Sequence, residues 1–144
     1  MAGLMAIAFL LIVVWSTDIA AYFGGRRFGG PKLWRRVSPG KTWSGAFIGL
    51  GAAVLAAALF TFATGSSPLA AIGLATVLSA AAQAGDLAES AVKRACGAKD
   101  SGRIIPGHGC VLDRVDGLFG AATLALILAA AGLGGGILVM GASA

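Results

Sequence analysis

This sequence predicts an all-α, polytopic membrane protein with about four transmembrane helices and two basic cytoplasmic loops. Three observations carry that expectation. The 144 residues are 58% hydrophobic and only 12% charged, with a mean hydropathy of +0.88. The apolar stretches approach the ~20 residues that a helix needs to cross the hydrocarbon core. All eleven Lys and Arg fall into two segments, which alternate with uncharged ones. Strands of a membrane barrel alternate apolar and polar residues; these runs do not, so helices are expected throughout. The length suits one domain, residues 1–144.

The first apolar run is Leu4 to Phe23, interrupted by Asp18. No basic segment precedes it, and Trp15, Asp18 and Tyr22 stand where a signal peptide would place small residues, so a retained helix is expected. The second run, about Ser44 to Ala63, contains Gly45 and Gly49, a small-xxx-small spacing that lets helices approach. The link TGSSP follows, and Pro68 suits the first position of a third helix. That run, Leu69 to Ala84, is expected to continue as helix through Arg94. The fourth is Gly117 to about Met140, weakened near its end by the glycines between Gly132 and Gly136.

Charge sets the topology. Arg26, Arg27, Lys32, Arg35, Arg36 and Lys41 lie between helices one and two. Lys93, Arg94, Lys99, Arg103 and Arg114 lie between helices three and four. Two crossings separate these segments, 24–43 and 93–116, so both face one side. The positive-inside rule makes that side the cytoplasm and places the chain in the cell's inner membrane. Net charge +5 fits loops resting on anionic head groups or binding an anionic substrate. Nucleic acid is not an expected partner, because no basic domain rich in aromatic residues exists to read it.

The six acids are the scarcest feature. Asp18, Asp86, Glu89, Asp113 and Asp116 fall at or near the inner ends of helices; Asp100 is in a loop. Ionisable groups near lipid are costly and normally face a cavity or a partner. Asp86, Glu89 and Lys93 are spaced to share one helical face, as are Asp113 and Asp116 if a helix begins there. Carboxylates gathered on two such faces repel unless a cation or proton intervenes. Mg²⁺ bound through carboxylates and substrate phosphates is one answer. Ion pairs of Asp113 with Arg114 or Lys93, and of Asp116 with Arg94, are the other; spacing does not choose between them. The loop GAKDSGRIIPGHG adds Lys99, Arg103 and His108 as phosphate donors among turn-forming glycines. In SPGKT, Ser38 or Thr42 suits a helix cap, or the segment forms an anion site at a helix start. It is not a P-loop, because the upstream glycine pattern is wrong. Cys96 and Cys110 are expected to be free thiols, since their spacing with His108 fits no common zinc site.

Taken together, Ser90-Ala-Val-Lys93-Arg94, Lys99-Asp100, Pro106-Gly-His108-Gly109 and Asp113-Arg114-Val-Asp116 resemble, at fixed spacing, the signature of the phosphatidate cytidylyltransferases, or CDP-diglyceride synthetases. GDLAES (85–90), SPGKTWSG (38–45) and WSTDIAAYFGGRRFG (15–29) resemble further motifs of that family. The resemblance covers residue 15 to about residue 120 and implies that the chain corresponds to the family's conserved C-terminal portion. Family members usually carry several more helices before the first motif. Cys110 also departs from the pattern, standing where the family usually has a second glycine.

The resemblance implies attack of phosphatidic acid on the α-phosphorus of CTP, giving CDP-diacylglycerol and pyrophosphate for phospholipid biosynthesis, with Mg²⁺ as cofactor, one ion or two. It implies Asp86 and Asp113 as the principal metal ligands, supported by Asp116 and Glu89. Lys93, Lys99, Arg103 and His108 would hold phosphates or the leaving pyrophosphate. Ser38, Lys41 and Thr42 would bind an anionic part of one substrate, and Arg94, Asp100 and Arg114 complete the substrate-binding set. CTP, phosphatidic acid and membrane lipids are the expected partners, and a homodimer is compatible with them. A CTP-dependent lipid-alcohol kinase, a small transporter using Asp18 and Asp86, and an inactive fragment are the competing readings.

Overall fold

The computed structural model describes residues 2–95 and 112–131, and the side chains of these except at 2 and 112–116. Helix α1 is Ala2–Phe28, strands β1 and β2 are Lys32–Trp34 and Ser38–Thr42, and helices α2, α3 and α4 are Trp43–Thr64, Pro68–Ala95 and Leu112–Ala130. Among the described residues three helices are long and apolar enough to cross a membrane: Gly3–Phe28, Trp43–Thr64 and Pro68–Ala95. The apolar part of α4, Gly117–Ala130, is shorter. The expected continuation toward Met140 lies outside the described residues.

The segment 24–43 differs from the irregular loop expected. Helix α1 runs on to Phe28 because Gly24 and Gly25 are packing positions rather than breaks. A Cβ on Gly24 would meet Ile48 at 2.6 Å, and one on Gly25 would meet the Thr42 hydroxyl at 2.8 Å. Arg26 and Arg27 then occupy the last turn, where cations suit the helix dipole. Gly29, at φ 61°, ends the helix, its N–H donating to the Gly25 carbonyl at 3.0 Å. The chain next folds into a two-stranded antiparallel ribbon that pairs Lys32 with Thr42 and Trp34 with Ser38, with an irregularity between. The ribbon is the one departure of the described residues from an all-helical fold.

Thr42 caps α2: its hydroxyl accepts from the Gly45 N–H at 3.2 Å. At the far end Gly65 turns left-handed at φ 67°, and Ser66 N–H donates to Thr61 O at 3.2 Å. Pro68 then opens α3.

Small residues line the helix interfaces. The buried stripe of α2 is Gly45, Gly49, Ala53, Ala57 and Thr61, one residue per turn. Packing is most extensive between α1 and α2 and between α3 and α4. Phe9, Val13, Val14 and Leu78 fill the centre, and Phe9 meets Phe60 edge-on at 5.4 Å. One buried polar link joins α1 to α3, from the Thr17 hydroxyl to Ser79 Oγ at 2.9 Å. The large apolar side chains point outward instead: Phe62 is 91% exposed and Leu69 81%. Small residues inside and large apolar residues outside is the arrangement that lipid permits and water penalises.

Candidate active site

The C-terminal part of α1, the ribbon, the start of α2, the later half of α3 and the start of α4 meet at one end of the bundle. Lys41, at the end of β2, reaches across to α3 and forms an ion pair with Asp86 Oδ2. Its backbone is held on both sides. Strand pairing precedes it, and Thr42 follows with a buried hydroxyl engaged by Gly45 N–H and by Ser44 Oγ at 3.0 Å. Ser44 in turn donates to the Gly29 carbonyl. Thr42, expected among the substrate-binding residues, therefore has its hydroxyl committed to the helix start. Ser38 is half-buried on β2, opposite Trp34.

Asp18 projects from α1 toward α4. A Cβ on buried Gly117 would lie 3.6 and 3.7 Å from its two carboxylate oxygens. Among the described residues, the charges that bear on Asp18 are those of Asp86 and Lys41. Acids from α1 and α3 and a lysine from the ribbon thus meet beside the first turns of α4. Asp18 was not among the site residues expected from sequence. Its one sequence signal is a carboxylate inside an apolar run, where an acid is costly to leave without a partner.

On the same face of α3, Lys93 Nζ lies 2.6 Å from Glu89 Oε1, an i,i+4 pair with both side chains mostly buried. Arg94 is exposed in the last turn. Beside them a groove of about 630 Å³ opens between α3 and α4, lined by Ala81, Gly85, Ala88, Glu89, Phe119 and Gly120. The groove lies beside a close crossing: a Cβ on Gly120 would fall 2.6 Å from Ala81 O and 3.0 Å from Gly85 Cα.

Helix α4 begins at Leu112, so Asp113 and Asp116 lie in its first turns. The condition under which they share a face is met, and negative charge there suits the helix dipole. Their side chains, and that of Arg114, lie outside the described residues, as do Cys96, Lys99, Asp100, Arg103, His108 and Cys110. Among the described residues no three acidic, His or Cys groups form a metal-holding set. The donor chemistry nevertheless fits a hard cation. Asp86 offers carboxylate oxygen, a second carboxylate stands beside it, and one positive charge, the Lys41 ammonium, already occupies Asp86.

Fold and site define a helical membrane protein with an acidic and basic cluster at one end of the bundle. Over residues 1–131 the sequence matches the model of the cytidylyltransferase family. The chain belongs to that family. It is 58% identical over 134 residues to the phosphatidate cytidylyltransferase of Brucella suis, covering 89% of this chain and 48% of that protein. The phosphatidate cytidylyltransferase of Bacillus subtilis is 44% identical over 117 residues, covering 79% and 43%. That of Haemophilus influenzae is 43% identical over 125 residues, covering 83% and 43%. The chain thus spans about half the length of the curated relatives it matches.

Proposed function

We propose that this chain carries the reaction centre for cytidylyl transfer from CTP to phosphatidic acid, at the cytoplasmic face of the inner membrane. The observation that supports this best is the meeting of Lys41, Asp18 and Asp86 beside the start of α4, in a helix bundle clothed in apolar side chains. A water-soluble nucleotide reaches that end from the cytoplasm, and a lipid phosphate reaches it from the leaflet. A phosphate oxygen of phosphatidic acid forms a bond to the α-phosphorus of CTP, the bond to the β-phosphate oxygen breaks, and pyrophosphate leaves. No covalent enzyme intermediate is required, because the acceptor phosphate is itself the nucleophile.

The chemistry asks the protein mainly for position and charge. Asp86, Asp113 and Asp116 would hold Mg²⁺, with Glu89 in support. Bound there, the cation neutralises phosphate oxygens that would otherwise repel each other. Lys93, Lys99, Arg103 and His108 hold phosphates and receive the charge that builds on pyrophosphate. Lys41 and Ser38 contribute from the ribbon, while Thr42 acts by fixing the strand that carries Lys41. The open α3/α4 groove, largely apolar, suits an acyl chain leading toward Glu89.

The test is product analysis. The purified chain is given phosphatidic acid, Mg²⁺ and CTP labelled either in cytidine or in the γ-phosphate. Cytidine label in the lipid fraction with release of pyrophosphate is expected. Label from the γ-phosphate alone would make the protein a lipid kinase, and label from neither overturns the proposal for this chain.

A further inference from the structure

The reaction assigns Asp86 to a cation, yet in this structure Asp86 is taken by an ammonium. Oδ2 of Asp86 is turned to the ammonium, and a divalent ion brought to Asp86 repels a lysine already beside it. That repulsion is relieved by a second anion that receives Lys41. Its backbone is pinned by strand pairing and by the Thr42 cap. Movement is therefore left to its flexible four-carbon stem. Among the described residues, the other carboxylate within its field is Asp18, which sits at Gly117 on α4. The Lys41–Asp86 pair is also open enough to break, the two side chains being 28% and 29% exposed. Pairs of that kind are worth at most about 1 kcal/mol, roughly a fivefold bias.

We propose that Lys41 is a positioning residue that neutralises Asp86 while the site is cation-free and passes to Asp18 when Asp86 turns to a divalent cation. Lys41 keeps two carboxylates from repelling each other in the empty site, and Asp18 keeps the displaced ammonium from opposing the cation. This rests on the cytidylyltransferase reading, because that reading supplies the cation.

The experiment measures Mn²⁺ binding by electron paramagnetic resonance, on the full chain in detergent micelles without nucleotide or lipid. Variants are accepted only with the size-exclusion profile of the parent. Asp86→Asn is expected to weaken Mn²⁺ binding; unchanged binding removes the cation from Asp86 and overturns both readings. Given that loss, Lys41→Gln and Lys41→Met are expected to bind Mn²⁺ about two- to fivefold more tightly than the parent. Lys41→Arg, which keeps the charge, is expected to stay near it. Unchanged or weaker binding in Lys41→Gln and Lys41→Met overturns the exchange alone. Asp18→Asn gives a second test that leaves the ribbon intact. It is expected to weaken Mn²⁺ several-fold when Lys41 is present and to have little effect in the Lys41→Gln background. An equal loss in both backgrounds makes Asp18 a ligand rather than a counter-ion, and the exchange fails.

Discussion

At the scale of single residues, the proposed chemistry concentrates on a few charges. Asp113→Asn keeps side-chain volume but removes a ligand charge, so Mg²⁺-dependent turnover should fall by about a hundredfold or more while the protein still purifies intact. Full activity in that variant would remove Asp113 from its role. Thr17 offers a contrast, since its hydroxyl spans α1 to α3 within the buried core. Thr17→Val should lower stability by about 0.5–1.5 kcal/mol, read as a drop in melting temperature in detergent, without changing the KM for CTP. Sequence patterning made Asp86, Glu89 and Lys93 recognisable as one helical face, because i,i+4 spacing is local. Asp18 was grouped with the acids near helix ends and named beside Asp86 in the transporter reading, but its place beside Lys41 was not legible, because Lys41 and Asp86 lie on other elements and become neighbours only after folding.

At the scale of elements, glycine marks where backbones touch. A Cβ on Gly45 would sit 2.7 Å from Ala21 O and 3.2 Å from Gly25 Cα, both main-chain atoms. Gly45→Ala should therefore force α1 and α2 apart and destabilise by about 1–3 kcal/mol. Gly51, further along the same helix, has open space where a Cβ would project, with nothing within 4 Å. Gly51→Ala should be neutral or slightly stabilising through helix propensity. Thermal melts of the two variants side by side make the comparison, and equal effects would refute the packing argument. The helix bodies were legible in the sequence because lipid demands long apolar runs, and those runs have few other uses. The ribbon was not, because Lys32–Trp34 and Ser38–Thr42 are short, polar and rich in turn formers. The start of α4 at Leu112 was legible only as a condition, since Asp113 and Asp116 read as loop by composition while suiting a helix N-terminus by charge.

At the scale of the whole molecule, helix count and basic residues together predict an orientation. Cysteines placed at Arg36 and at Ser66, after Cys96 and Cys110 are replaced, should label from opposite sides of sealed vesicles, with Arg36 on the cytoplasmic side. Labelling from one side would break the topology. Around a centre that holds Phe9 and Leu78, the bundle buries alanine and glycine at its helix contacts and shows most of its other large apolar side chains to the surroundings. Its close helix contacts are thus made backbone to backbone, as at Gly25 against Gly45 and Gly85 against Gly120.

The crossing of α1 and α2 directly beneath the ribbon has a mechanical meaning. Two main chains in contact leave no slack for a hinge at the point where Lys41 is anchored. A catalytic cycle built on this scaffold would not swing a lid or rock one helix against another there. The part proposed to travel at that point is a single side chain, pivoting on an immobile post.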